Sequence, residues 1–233
     1  MVDLEQQEYR TALGTRVTVV PISIFDQATP FNDPSVLLAG YDALILGGSG
    51  EFDLDGGRSP DDEARRIGGE VRDRLRALVA FVIESDFPTF GVCFGHQIIA
   101  DLRGGNVMND QAQSKMGTHS VQLTDMGHTD ILFSRMPDSF LAQYGHKDSV
   151  TVLPKGATLL AYGPQCRFSA LRYGKHVYTT QFHPELTADD VKKRIERMPG
   201  YLPEDVSAGS VVQASPEASR LLGFFTEQAP HEG

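Results

Sequence analysis

Phe87-Pro88-Thr89-Phe90-Gly91-Val92-Cys93-Phe94-Gly95-His96-Gln97 is the stretch that decides the fold. Phe87 to Val92 is an apolar run of strand length. Gln97 to Leu102 continues at helical spacing until Gly104-Gly105 stops it. A strand running into a helix with a cysteine at the junction has the pattern of a nucleophile elbow, G-x-S-x-G, with cysteine in place of serine. In so tight a turn the positions two before and two after the nucleophile crowd each other, and Gly91 and Gly95 hold both places. The helix N-terminus aims free N–H groups and the positive end of its dipole at the sulfur, which favours the thiolate. The Phe94 N–H is then placed to donate to an oxyanion forming beside Cys93. A lone cysteine is more often a buried structural residue. The strand, both glycines and the helix together turn the reading to a nucleophile.

Working upstream, Tyr41 to Leu46 reads as a second strand, ending in Gly47-Gly48-Ser49-Gly50, and Arg16 to Ile24 as a β-branched strand. Leu4 to Leu13 reads as helix. Residues 51–69 are polar and glycine-rich, with five acidic residues between 51 and 62, and read as a long surface loop. Val71 to Ile83 is an amphipathic helix with its apolar face at 71, 75, 78, 79 and 82. Downstream, Gly105 to Tyr178 reads as short strands and turns, with Val121 to Leu123, Ala157 to Tyr162, Phe168 to Arg172 and His176 to Gln181 the better strand candidates. A helix from Ala188 to Arg197, an irregular segment over 198–216 and a helix from Glu217 to Thr226 follow. Strands alternating with helices in the first half predict an α/β fold: one domain over 1–233, a mostly parallel central sheet and flanking helices. Ligands bind such sheets beyond the carboxyl ends of the strands, where both Gly47-Gly48 and Cys93 sit.

A candidate base stands at another strand end, His183-Pro184-Glu185. Residues two apart on an extended chain face the same way. His183 can therefore take the thiol proton while Glu185 fixes its tautomer and stabilises the imidazolium. Polar residues at a strand terminus are common, and it is the pairing with Cys93 that makes this one catalytic. A competing order, nucleophile–acid–histidine, would make Asp148 the acid of a cysteine esterase of the α/β-hydrolase kind; the adjacent Glu185 argues against it.

The 233 residues carry a formal net charge of −10. That disfavours sequence-independent nucleic-acid binding, which needs Lys and Arg to neutralise phosphates. No stretch approaches the ~20 apolar residues of a membrane span, and the polar N-terminus is no secretory signal. Two cysteines make no disulfide framework, and a cytoplasmic protein fits. The histidines lack zinc-ligand spacing, so neither a metal nor a cofactor is expected. The glycine run at 47–50 lacks the P-loop pattern. Cys166 reads as a structural residue, and His96 as local packing or site lining.

The elbow and the later Phe182-His183-Pro184-Glu185 resemble the G-x-C-x-G-x-Q and F-H-P-E signatures of the class I, triad-type glutamine amidotransferases. Gly145-His146-Lys147-Asp148-Ser149-Val150 resembles the H-x-D-x-V segment of GMP-synthase glutaminase domains and of γ-glutamyl peptidases. The resemblance runs from about Tyr41 to about Leu186 and implies a flavodoxin-like core. It implies attack by Cys93 on a γ-glutamyl amide, giving a thioester and ammonia, and release of glutamate by water that His183 activates. Gly48 and Phe94 would form the oxyanion hole, and Gln97, His146 and Asp148 would bind substrate. The substrate would be glutamine, the partner then being a separate ammonia-accepting synthetase subunit, or else a small γ-glutamyl compound in a stand-alone peptidase. Two departures stand out. Family members begin with an apolar strand ahead of the first helix; here the chain is expected either to start downstream of that strand or to build its sheet without it. Nor does a synthetase domain follow, so the acceptor is expected elsewhere.

Overall fold

The computed structural model describes residues 2–15, 17–197 and 207–228. In chain order the elements are α1 (Val2–Leu13), α2 (Pro34–Leu37), β1 (Leu44–Leu46), α3 (Glu63–Glu84), β2 (Thr89–Val92), α4 (Phe94–Leu102), β3 (Val107–Asn109), β4 (Lys115–Leu123), α5 (Asp125–Thr129), a 3₁₀ turn (Phe133–Arg135), β5 (Ser139–His146), β6 (Asp148–Val150), β7 (Ala157–Gly163), β8 (Cys166–Tyr173), β9 (Val177–Thr180), α6 (Ala188–Arg197), α7 (Ala208–Val211) and α8 (Pro216–Thr226). The main sheet has seven strands in the order β1-β2-β9-β8-β7-β4-β5. It is parallel across β1, β2 and β9 and antiparallel from there to β5. A separate antiparallel ribbon joins β3 to β6.

The burial pattern follows from this order. β2 lies between β1 and β9 with helices over both faces, and its four residues are all buried; hence its continuous apolar run. Above one face, Val71, Leu75, Leu78, Val79 and Val82 of α3 pack with Phe94, Ile98 and Ile99 of α4. Burying a side chain of this kind is worth about 1.5–3 kcal/mol. Against the other face, Leu221, Leu222 and Phe225 of α8 join Phe90, Tyr178 and Tyr9 of α1.

Several expectations are corrected. Residues 63–69 belong to α3, because the Asp62 carboxylate caps it by accepting from the Ala64 N–H at 2.9 Å; only 51–62 is loop. Val17 to Ile24 forms no strand: it contains Pro21, which has no N–H, and it meets no partner edge. Arg16 lies outside the described residues. So does 198–206 of the irregular segment, and the remainder of that segment contains α7. The antiparallel arm is longer than expected. β3, β5, β6 and the first half of β4 lie within the region 105–178 read as short strands and turns but outside its named strand candidates, since Lys115-Met116-Gly117-Thr118-His119-Ser120 shows little apolar alternation.

Candidate functional site

The elbow forms because β2 ends against α4 with no room for side chains. Cys93 caps α4 at φ 51°, ψ −98°, a left-handed conformation that costs a non-glycine residue of order 1–3 kcal/mol. Bonds on both sides hold it there: Cys93 N–H to Thr180 O at 2.8 Å, and Gly95 N–H to Gly47 O at 3.1 Å. A Cβ on Gly95 would lie 2.2 Å from Leu46 O, and one on Gly91 would lie 3.1 Å from Gly95 C and O. The Cys93 Sγ is buried, 3.9 Å from Gly145 O and 3.7 Å from Gln181 Nε2. Among the described residues neither the Phe94 nor the Gly48 N–H meets a backbone acceptor, so both remain available to an oxyanion.

His183 leaves β9 and bridges to β5, giving its N–H to Gln143 O at 2.8 Å. Its Nδ1 lies 2.6 Å from Glu185 Oε1, and both side chains are buried. A Cβ placed on Gly48 would be 3.1 Å from His183 Cε1 and 3.7 Å from Cys93 Cβ. The cysteine, the histidine and the glycine loop thus surround one small space. Burial, the largest single influence, pulls the His183 pKa down; the Glu185 carboxylate and the neighbouring Cys93 sulfur outweigh it and raise the imidazole to about 10. A protonated imidazole beside sulfur and carboxylate is what a cysteine nucleophile needs to act as thiolate and then protonate a leaving amine.

α1 stands behind this pair, and the motifs give no sign of it. Glu8 Oε2 pairs with Arg194 Nη2 of α6. Burial, then the nearby Glu185, raises the Glu5 carboxyl above its usual range. Arg194 is the cation shared by Glu8, Glu185 and Glu5. In the sequence, only the acidic helical periodicity of Glu5 and Glu8 hints at it.

Gln97, His146 and Asp148 are buried and bonded to protein. Gln97 Nε2 donates to Asp148 O at 2.8 Å and to Gln181 Oε1 at 3.3 Å. His146 Nδ1 pairs with Asp148 O at 2.9 Å, and burial pushes this imidazole down to about 3. The Asp148 carboxylate accepts the Asp55 and Gly56 N–H groups at 2.8 and 2.6 Å. It ties down the 51–62 loop, which is therefore anchored. Glu185 is the carboxylate bonded to the His183 imidazole. His96 packs inside, with Nδ1 2.8 Å from Thr179 Oγ1. Cys166 is buried in the core. Among the described residues no cluster of His, Cys, Asp and Glu could hold a metal, and no helix is long and apolar enough to cross a membrane.

The chain is similar to several known proteins. A family model described as glutamine amidotransferase class-I matches residues 6–198. One subunit of the glutamine-hydrolyzing GMP synthase of Methanosphaera stadtmanae is 33% identical over 120 residues, 51% of this chain and 62% of that protein. Gamma-glutamyl peptidase 5 of Arabidopsis thaliana is 36% identical over 110 residues, 46% of this chain and 44% of that protein. The match thus spans less than two thirds of either relative's length. The crystal structure of a glutamine amidotransferase from Thermotoga maritima shares the fold, with a TM-score of 0.62 at 16% identity over 80% of this chain and 96% of that one. With a strand-to-helix cysteine junction, a mixed sheet parallel at its site and a family model covering most of its length, the chain belongs to the class-I glutamine amidotransferase family.

Proposed function

We propose that the chain hydrolyses glutamine, with Cys93, His183 and Glu185 as its triad, and passes ammonia to a separate synthetase subunit. One observation carries this reading: the left-handed Cys93 at the head of α4 faces a buried His183–Glu185 pair across the open Gly48 N–H. The Cys93 thiolate attacks the amide carbon, forming the S–C bond. The Gly48 and Phe94 N–H groups hold the resulting oxyanion. The C–N bond breaks as His183 gives its proton to the departing nitrogen, releasing ammonia. Water then attacks the thioester while His183 takes its proton, and the S–C bond breaks to free glutamate and restore the thiolate. Glu185 keeps the imidazole in place and stabilises its cation. Gln97 and His146, buried and bonded to the Asp148 carbonyl, position the wall of the site; Asp148 anchors the adjoining loop.

The γ-glutamyl peptidase relative supports a second reading on the same residues, in which the leaving group is a peptide amine. The deciding assay measures ammonia and glutamate release from glutamine and from γ-glutamyl dipeptides, with and without the ammonia-consuming partner of a two-component GMP synthase. Glutamine turnover that is slow alone and rises with that partner is the expected result. Turnover of dipeptides in preference to glutamine, indifferent to the partner, would establish the peptidase. Absence of both activities, with Cys93 unreactive toward a glutamine-analogue electrophile, would overturn the triad.

A further inference from the structure

The main chain at His183 hangs on one bond. Among the described residues, His183 is the only position from Phe182 to Glu185 whose N–H meets a backbone carbonyl, and that carbonyl is Gln143 O at 2.8 Å. Gln143 lies on β5, the end strand of the main sheet, opposite Thr118 of β4. On the free side of β5, Gln143 forms an isolated bridge to His183. A strand paired along one edge alone does not fix the height of that carbonyl, and the Gln143 side chain does. It is wholly buried. Its Nε2 donates to Gln213 O at 2.8 Å and to Ser215 Oγ at 2.9 Å, and its Oε1 accepts from the Thr118 hydroxyl at 3.0 Å. Both amide hydrogens and the amide oxygen are thus used. The Thr118 Oγ1 in turn accepts the Gln213 N–H at 2.7 Å. This closed set of bonds ties β4 and β5 to residues 212–215, which connect α7 to α8. The connector sits tightly: a Cβ on Gly117 would lie 2.5 Å from Val211 O, and Val212 packs with Leu186, Val191 and Ile195. Leu186 directly follows Glu185, so one connector braces the histidine through Gln143 and the glutamate through Leu186.

We propose that Gln143 is a positioning residue for His183: its side chain, locked by the 212–215 connector, holds the carbonyl that sets the imidazole between Cys93 and Glu185. This role rests on the reading of His183 as the triad base. The chemistry calls for an amide. Gln213 O can only accept, so an N–H must face it, while the opposite end must accept from Thr118. A carboxylate lacks the donor and a thioether lacks both. The position is sensitive because the imidazole already meets Glu185 Oε1 at 2.6 Å. A misplacement of about 1 Å, transmitted from outside the reacting groups, costs on the order of 100-fold in rate, and a fraction of that displacement about 10-fold.

The test is the rate of Cys93 alkylation by iodoacetamide, resolved from Cys166 by peptide mass, at a temperature where each variant is folded by circular dichroism. Gln143→Met keeps the size of the side chain and loses its three bonds; it is expected to slow alkylation about 10-fold. In a His183→Ala background the same substitution is expected to change the rate less than about 2-fold, because it acts only through the histidine. Thr118→Val is expected to slow alkylation in the same His183-dependent way, and Thr118→Ser, which keeps the hydroxyl, to restore the parental rate. Val82→Ala, which weakens the core on the other face of the sheet, is expected to lower Tm and leave the rate of the folded protein unchanged. If Gln143→Met does not fold, the two Thr118 variants decide alone. A parental rate in the folded Gln143→Met and Thr118→Val proteins, or a loss of equal size with and without His183, overturns the positioning role and leaves the triad standing. A His183→Ala protein alkylated as fast as the parent overturns the triad reading itself, and this role with it.

Discussion

Gly95→Ala is the substitution for which the structure gives the most definite consequence. The added Cβ would sit 2.2 Å from Leu46 O and 2.9 Å from Leu46 C and Cβ. Ordinary contact begins near 3.4 Å, so β1 and α4 would have to part by more than 1 Å at that point. The atoms in the way are backbone, and no rotamer change relieves them. Overpacking of this kind costs about 1–3 kcal/mol. Parting the two elements also stretches the 3.1 Å bond from Gly95 N–H to Gly47 O, worth about 1 kcal/mol. The expected loss is about 2–4 kcal/mol. Gly91→Ala meets Gly95 C and O at 3.1 Å, a gap that a few tenths of an ångström relieves, and about 1 kcal/mol is expected. Gly223→Ala, in α8 with nothing within 4 Å, is expected to stabilise by about 0.5–1 kcal/mol, because glycine costs helix entropy. Urea denaturation followed by circular dichroism gives all three values. A Gly95→Ala protein as stable as the parent, or one less affected than Gly91→Ala, would refute the crowded elbow.

Two further outcomes are expected. Glu185→Gln should retain more single-turnover acylation than His183→Ala, while Asp148→Ala should leave acylation largely intact and open the 51–62 loop to protease, having stranded the Asp55 and Gly56 N–H groups at a cost of about 1–3 kcal/mol; a silent Glu185→Gln beside an inactive, still folded Asp148→Ala would reverse the two roles. For His183, folding raises the imidazole from 6.5 to about 10, so its contribution to stability is complete below pH 6.5 and is lost as the pH climbs through about 10; the Tm advantage of the parent over Glu185→Gln should shrink between pH 7 and 10, and an advantage that grows over that range would contradict a protonated histidine.

The centre of the fold is legible in the sequence because its residues obey local rules. The α3 positions 71, 75, 78, 79 and 82 show helical periodicity and are all buried, and the β2–Cys93–α4 junction carries both of its obligatory glycines. His183 and Glu185 can be paired from their two-residue spacing at a strand end. What stays hidden depends on contacts far apart in sequence. Lys115 to Ser120 is a strand because β5 lies beside it, not because of its own composition. Asp148 resembles a site residue, yet its partners are backbone amides 92 and 93 residues upstream. Gln181 and the α1 carboxylates reach the site only through tertiary packing. Val17 to Ile24 misleads in the opposite sense: its β-branched composition is real, but a strand requires an edge to pair with.

The left-handed backbone at Cys93 also bears on how the chain fails under heat. That conformation is unfavourable on its own and persists only while β1, β9 and the buried α4 hold it from every side. No form that has lost β1, β9 or α4 can therefore keep a competent thiol. Reactivity at Cys93 and the global unfolding transition should superimpose as one cooperative event. Labelling of the cysteine by a site-directed electrophile is then a direct readout of the fraction of molecules in which the parallel strands and α4 are intact.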